Sequence, residues 1–126
     1  MKRWLVGLLL VVLAGVLLVI VINDNRDPIA VLEEFGAKIK RNGQGEVVRV
    51  SLADTKITDV GLVHLKGLTE LQSLIMGEVG SQITDAGLVH LKGLTELQTL
   101  NLRGTKITDA GVADLQKALP NCTISK

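Results

Sequence analysis

The chain has almost no aromatic residues and almost no cysteine. Trp4 and Phe35 are its only aromatic side chains, with no tyrosine at all. A surface that stacks bases or sugars needs several such rings, so that class of ligand is disfavoured from the outset. Cys122 is the single cysteine. No disulfide can therefore form within the chain. The thiol reads as a small buried apolar residue, or, outside the cytosol, as one that pairs between two copies. An excess of positive charge is missing too. Setting aside Lys2 and Arg3 leaves 12 basic residues against 13 acidic ones over residues 23–126. Nothing there forms the basic stripe that a phosphate backbone requires, and nucleic acid is not an expected partner.

Chemical constellations are equally scarce. There is no P-loop, no GxGxxG, and no Ser, His and Asp in an arrangement that suggests a nucleophile and its base. The expectation is a protein that is not an enzyme, with no catalytic residues, no cofactor and no metal.

What the chain does have is a long apolar run. Residues 4–22 read WLVGLLLVVLAGVLLVIVI, nineteen residues without a charge. As a helix this reaches about 28 Å, close to the hydrocarbon thickness of a bilayer. Lys2 and Arg3 precede it, and Asn23, Asp24, Asn25, Arg26 and Asp27 follow. Positive charge on the N-terminal flank places that end in the cytoplasm and the remainder outside, with Trp4 as an interfacial anchor. The expectation is a transmembrane signal-anchor helix over 1–22, contacting the lipid bilayer through 4–22, followed by a linker over 23–27. A cleaved signal peptide, giving a secreted protein, is the alternative. It fits less well, because the run is long and ends Val-Ile-Val-Ile without a small-residue cleavage site. Gly7 and Ala14 lie on one helical face and would let two such helices approach, a route to a homo-oligomer.

Residues 28–52 read as a cap. Asp27-Pro28 is a helix start, Ile29, Leu32 and Phe35 recur on one side, and Gly36 ends the helix. Residues 37–41 and 46–52 read as two strands joined by Asn42-Gly43-Gln44-Gly45, where Asn-Gly favours positive φ at both positions. Val48, Val50 and Leu52 are expected inward.

The remainder is repetitive. Residues 57–74, ITDVGLVHLKGLTELQSL, recur as ITDAGLVHLKGLTELQTL at 83–100, and a partial copy opens at Ile107 with ITDAGVADLQKAL. The spacing is 26 residues from Ile57 to Ile83 and 24 from Ile83 to Ile107. The clearest unit is Leu97-x-x-Leu100-x-Leu102-x-x-Thr105-x-Ile107-Thr108-Asp109, which fits the template LxxLxLxx(N/C)xL with Thr at the polar position. On these residues the chain resembles the bacterial ribonuclease-inhibitor-like, cysteine-containing leucine-rich repeat proteins, whose arrays also close with segments like Leu119-Pro120-Asn121-Cys122. The resemblance covers residues 30–126. It implies an α/β solenoid of about three units over 53–126, with parallel strands on the concave side, helices on the convex side, and protein–protein interaction as the function.

Each repeat position then has a physical task. Leu71, Leu74, Met76, Leu97, Leu100 and Leu102 point into the core, joined by Leu62, Leu65, Leu88 and Leu91 from the helix side. Thr58-Asp59, Thr84-Asp85 and Thr108-Asp109 open helices, supplying an N-cap oxygen and a negative charge at the positive dipole end. Gly67 and Gly93 end two of those helices. Thr55, Ser81 and Thr105 are expected to stack and bond backbone in neighbouring loops. His64 and His90 come near each other but bring no further ligand at metal-binding spacing. The column Asp59, Asp85 and Asp109 is explained by capping.

What remains for a partner is surface. The outward strand positions are Arg49, Ser51, Ser73, Ile75, Thr99, Asn101 and Arg103, a mixed set with Ile75 as the exposed apolar anchor. The loop Gly77-Glu78-Val79-Gly80 holds the two-residue excess between the copies and makes Glu78 and Val79 further candidates. The expected function is a membrane-anchored module that binds a protein partner through its concave strand face. The alternative is a structural or self-associating envelope protein with no separate ligand.

Overall fold

The computed structural model describes the backbone of residues 6–13 and 16–23 and, with side chains, residues 26–77 and 81–126. Strands β1 (Val6–Leu13) and β2 (Val16–Asn23) pair antiparallel, from Val6 opposite Asn23 to Leu13 opposite Val16. The structure describes a hairpin over this run, where a single transmembrane helix was expected. No described helix is long and apolar enough to cross a membrane. The physical reason lies in the composition of the run. Val6, Val11, Val12, Val16, Val19, Ile20, Val21 and Ile22 are β-branched, stiff at χ1 and suited to extended backbone. Length and hydropathy alone do not separate the two conformations. Lys2, Arg3, Trp4 and Ala14, and with Ala14 the expected helix-packing pair, lie outside the described residues.

Helix α1 (Pro28–Glu34) begins as expected, with the Asp27 carboxylate accepting from the Ile29 N–H at 3.1 Å and Pro28 in the first turn. Gly36 follows at φ +94° and turns the chain out of the helix. Its buried face is Ile29, Val31 and Leu32, whereas Phe35 is 43% exposed. Phe35, expected on that face, is the C-cap of the helix and lies largely in solvent.

Strands β3 (Lys38–Arg41), β4 (Val47–Ser51), β5 (Ser73–Ile75), β6 (Thr99–Asn101) and β7 (Thr123–Ser125) form one sheet in that order. The β3–β4 pair is antiparallel and the other three pairs are parallel. The β3–β4 turn depends on Asn42 and Gly45, not on positive φ at Asn42 and Gly43. Asn42 Oδ1 accepts from the Gln44 and Glu46 N–H groups at 2.9 and 3.0 Å, and Gly45 takes φ +82°. The register shifts between Lys40 and Arg41. That bulge turns Val47 into the core and leaves Val48 only half-buried, correcting the expected alternation.

The parallel strands alternate with short convex elements. These are two 3₁₀ helices, Asp59–Leu65 and Asp85–Leu91, and then α2 (Asp109–Ala118). The first two were expected to be ordinary helices. A 3₁₀ helix rises about 2.0 Å per residue against 1.5 Å for an α-helix, so seven residues carry the chain further across the convex side. Gly67 and Gly93 are not left-handed C-caps. Neither has positive φ, and each would have open space beside an added Cβ.

The core is a stack of leucines. Leu74 pairs with Val50 and Leu100, and Leu100 pairs with Ile124. Hence Ile124, not Cys122, occupies the position of Leu100 in the closing strand. Every leucine and Met76 assigned inward is at most 3% exposed. Cys122 is buried at the C-terminal end of the same cluster, and burial pushes its thiol above the ordinary value. This burial is in line with the reading of Cys122 as a small buried apolar residue.

Candidate functional site: the concave sheet

Two features of the repeat hold the concave face in shape. The first is the turn that follows each strand. Asp54 and Gly104 occupy the same place in their units, both with positive φ (61° and 76°). Thr55 Oγ1 donates to the Leu52 carbonyl at 2.7 Å, and Thr105 Oγ1 donates to the Leu102 carbonyl at 2.6 Å. Ser81 Oγ accepts from the Ile83 N–H at 3.3 Å. These hydroxyls close their own turns and do not bridge to a neighbouring loop, because each lies within three residues of its partner.

The bridge between units is made by the aspartates instead. Asp59 accepts from the Thr84 N–H at 2.8 Å and from the Thr84 hydroxyl at 2.5 Å. Asp85 does the same with Thr108, at 2.8 and 2.5 Å. A hydroxyl has one hydrogen and two lone pairs. With the hydrogen turned to the preceding unit's carboxylate, a lone pair is left for the helix start. Thr84 Oγ1 accordingly accepts from the Ala86 N–H at 3.3 Å, and Thr108 Oγ1 from the Gly111 N–H at 3.1 Å. Thr58, in the first unit, makes no such side-chain cap. Each Asp thus organises the next unit's cap, where capping of its own helix was expected.

Glycine makes room for this ladder. A Cβ at Gly87 would come within 2.6 Å of Asp59 Oδ1, and one at Gly111 would strike the Asp85 carboxylate. Thr-Asp-x-Gly is therefore a contact between units written into each unit. The last aspartate, Asp109, has no following Thr and takes Lys126 Nζ at 2.5 Å.

Three carboxylates, Asp85, Asp109 and Asp114, are held below their ordinary value by such bonds. Thr108 holds Asp85 below its ordinary value of 3.8, chiefly through its hydroxyl and then its N–H. Lys126 does so for Asp109, and Lys92 for Asp114. A folded-state value below the unfolded one gives stability that is present above the unfolded value and lost as pH falls through the folded one. Unfolding temperature should therefore hold level from neutral pH to about pH 5 and fall below about pH 4. Thr108→Val should destabilise at pH 7, and its difference from the parent should shrink at pH 3. Thermal unfolding followed by circular dichroism checks both. A difference that does not change with pH would contradict the ladder.

On this frame the outward residues form two rows. One runs Lys40, Arg49, Ser73, Thr99 and Thr123, and the other Lys38, Ser51, Ile75, Asn101 and Ser125. The expected residues Arg49, Ser51, Ser73, Ile75, Thr99 and Asn101 are thus brought together in register. Arg103 lies just past the end of β6 and is exposed, with its N–H donating to Asn101 Oδ1 at 3.0 Å. Glu78 and Val79 lie outside the described residues. Ile75 is half-buried between Ser51 and Asn101, so it is an apolar floor and not a protruding anchor. Thr99 Oγ1 donates to Ser73 Oγ at 3.1 Å. A shallow recess of about 320 Å³ sits at one end, lined by Lys40, Arg49, Gln72, Ser73, Gln98 and Thr99 among others.

Lys38 and Lys40 were missed in the sequence because β3 read only as part of a cap. The alternation Lys38-Ile39-Lys40, with Ile39 packed against the core, is the signal that places both lysines on the outer face. The convex side carries the larger exposed apolar residues, Val60, Val63 and Val89 at 80%, 44% and 60%. His64 and His90 sit half-buried near the ends of the two 3₁₀ helices. Among the described residues no three His, Cys, Asp or Glu side chains gather as a metal site.

A parallel sheet backed by short helical elements, stacked in units of about two dozen residues, is a repeat solenoid. Residues 93–115, from the end of the second 3₁₀ unit into α2, match the family model described as a leucine-rich repeat, which supports a leucine-rich repeat protein. No curated protein gives a significant match to the chain.

Proposed function

We propose that this chain is a membrane-anchored, non-catalytic leucine-rich repeat module that binds a protein partner through its concave face. The observation that supports this most is where the two long copies differ. They share the ladder aspartates, the convex leucines and the turn glycines, whereas Ser73 faces Thr99 and Ile75 faces Asn101 in the two outward rows, and Val60 is matched by Ala86 on the convex side. The shared leucines, aspartates and glycines hold the stack, and two of the positions that differ lie in the outward rows. Leucine-rich repeats serve generally as interaction surfaces, in line with this reading. The Thr-Asp-x-Gly units and the closing Leu119-Pro120-Asn121-Cys122 favour the ribonuclease-inhibitor-like subtype of bacterial proteins.

Membrane anchoring is supported by the apolar run itself. A two-stranded hairpin has two unpaired edges, and hydrocarbon offers no water to satisfy them. In water, a hairpin apolar throughout is marginal. In a bilayer the same run satisfies its backbone as a helix, with Lys2 and Arg3 on the cytoplasmic side and the repeats outside.

The exposed valines at 60, 63 and 89 favour a second reading, self-association through the convex side without a separate ligand. Affinity capture of the intact protein from detergent-solubilised membranes, with mass spectrometry of bait and prey, distinguishes the two. The first reading expects a bait mass that retains residues 1–22 and prey that are lost in the double variant Ile75→Asp, Arg103→Glu. A bait lacking its first 22 or so residues would remove the anchor. Prey unaffected by that double variant would remove the concave face.

A further inference from the structure

The concave sheet carries cations and no carboxylate. Its five strands hold Lys38, Lys40, Arg41 and Arg49 and not one Asp or Glu. Arg41 is occupied, its Nη1 donating to the Gly45 carbonyl at 2.9 Å. Lys38, Lys40 and Arg49 make no ion pair among the described residues. Moreover, Lys40 lies directly opposite Arg49 across the antiparallel β3–β4 pair. Like charges facing each other across strands destabilise a sheet, and here no carboxylate of the sheet offsets the repulsion. The chain as a whole is nearly neutral, so this concentration is local.

Neutral donors continue the row. With Thr99 donating to Ser73 Oγ, the hydrogen of Ser73 remains to donate outward. Beside it, Gln72 and Gln98 line the recess shared with Lys40 and Arg49. Two residues along the strands, Ile75 supplies an apolar floor. Cations, a free hydroxyl, amides and one apolar patch suit an extended peptide that alternates carboxylate and aliphatic side chains. They suit a phosphate backbone poorly, because three unpaired cations are few and the sheet offers no ring for a base to stack on.

We infer that the β3–β5 half of the concave sheet, where Lys38, Lys40 and Arg49 converge with Ser73 and no carboxylate, takes an extended acidic segment of the partner protein. This rests on the concave-face reading and specifies what that face binds. Charge complementarity of this kind acts on association rate and selectivity, and weakens with salt.

The test is fluorescence polarisation with the intact chain in detergent and a labelled peptide alternating Glu and Leu. The parent protein should bind this peptide, more weakly as salt rises, and should not bind the Lys/Leu counterpart. The double variant Lys40→Glu, Arg49→Glu should weaken binding by about tenfold or more. Equal binding by parent and variant, no binding by the parent, or preferential binding of an oligothymidylate would each overturn the inference. If that happens while Ile75→Asp, Arg103→Glu still abolishes prey capture, the acidic-segment assignment falls and the concave-face reading stands. If that double variant leaves capture intact as well, both fall.

Discussion

Gly77→Ala is expected to destabilise the repeat domain more than any other one-methyl addition at a described glycine. A Cβ at this position would land on the carbonyl oxygen and carbon of Arg103. Those are backbone atoms at the exit of the neighbouring strand, so they cannot rotate away as a side chain would. The strand exits are also where the units are tied together. The Leu52 N–H donates to the Ile75 carbonyl at 2.7 Å, Met76 N–H to Asn101 at 2.9 Å, and Leu102 N–H to Ser125 at 2.7 Å. Moving Gly77 away from Arg103 pulls on the middle of these three bonds. Overpacking that forces backbone to shift costs about 1–3 kcal/mol and occasionally more, and a clash with backbone atoms belongs at the upper end. Gly67→Ala and Gly93→Ala are the controls, since an added Cβ there meets open space at negative φ. They should be neutral or stabilise by about 0.5 kcal/mol. Urea unfolding of the three variants checks the order. A Gly77→Ala midpoint within error of the controls would contradict the close approach.

Leu100→Ala should cost about 2–5 kcal/mol. Leu100 is 1% exposed and sits between Leu74 and Ile124 in the central column of the sheet. Small domains have only about 5–15 kcal/mol in total, so the loss is a large part of what holds the array. In a solenoid each unit touches only its neighbours, so the damage is directional. Beyond Leu100 lie only helix α2 and the closing strand β7, and the Leu102 to Ser125 bond should open first. Hydrogen exchange should show early loss of protection at Leu102 and Thr123, with β4 and β5 affected later. Uniform loss across all strands would mean that the stack unfolds as one unit.

The repeat made the fold largely legible. Ile57-Thr58-Asp59, copied at 83 and 107, marks the start of each convex element. Leu71, Leu74, Leu97 and Leu100 could be assigned inward because a two-residue period and a three-residue step together leave few alternatives. What the sequence concealed were contacts between units, since these depend on distances that no single unit contains. The Asp59–Thr84 and Asp85–Thr108 bonds span 25 and 23 residues. Within one unit an Asp after Thr looks like a capping residue. Only stacking shows that it serves the next unit, and that Gly87 and Gly111 are there to admit it. The helix type was hidden for a related reason. Seven apolar-periodic residues fit α and 3₁₀ geometry alike, and the span across the solenoid decides between them.

The outward rows were legible from Arg49 to Arg103, because the strands repeat. Lys38 and Lys40 were not, because β3 lies outside the repeat and joins the sheet antiparallel. Their addition changes the character of the face, from a mixed surface to one with a cationic end. The N-terminal run shows the opposite limit. Its β-branched residues allow strand as readily as helix, and the surroundings of the run decide between them.

In the proposed function the repeat is scaffold and binding uses the outward strand residues. Site-specific photocrosslinking in intact membranes tests it most directly, with a benzophenone side chain placed at Thr99 on the concave row or at Val89 on the convex side. Adducts to a different protein are expected from position 99 and none from position 89. Adducts from position 89 alone, at the mass of a dimer of this chain, would contradict it.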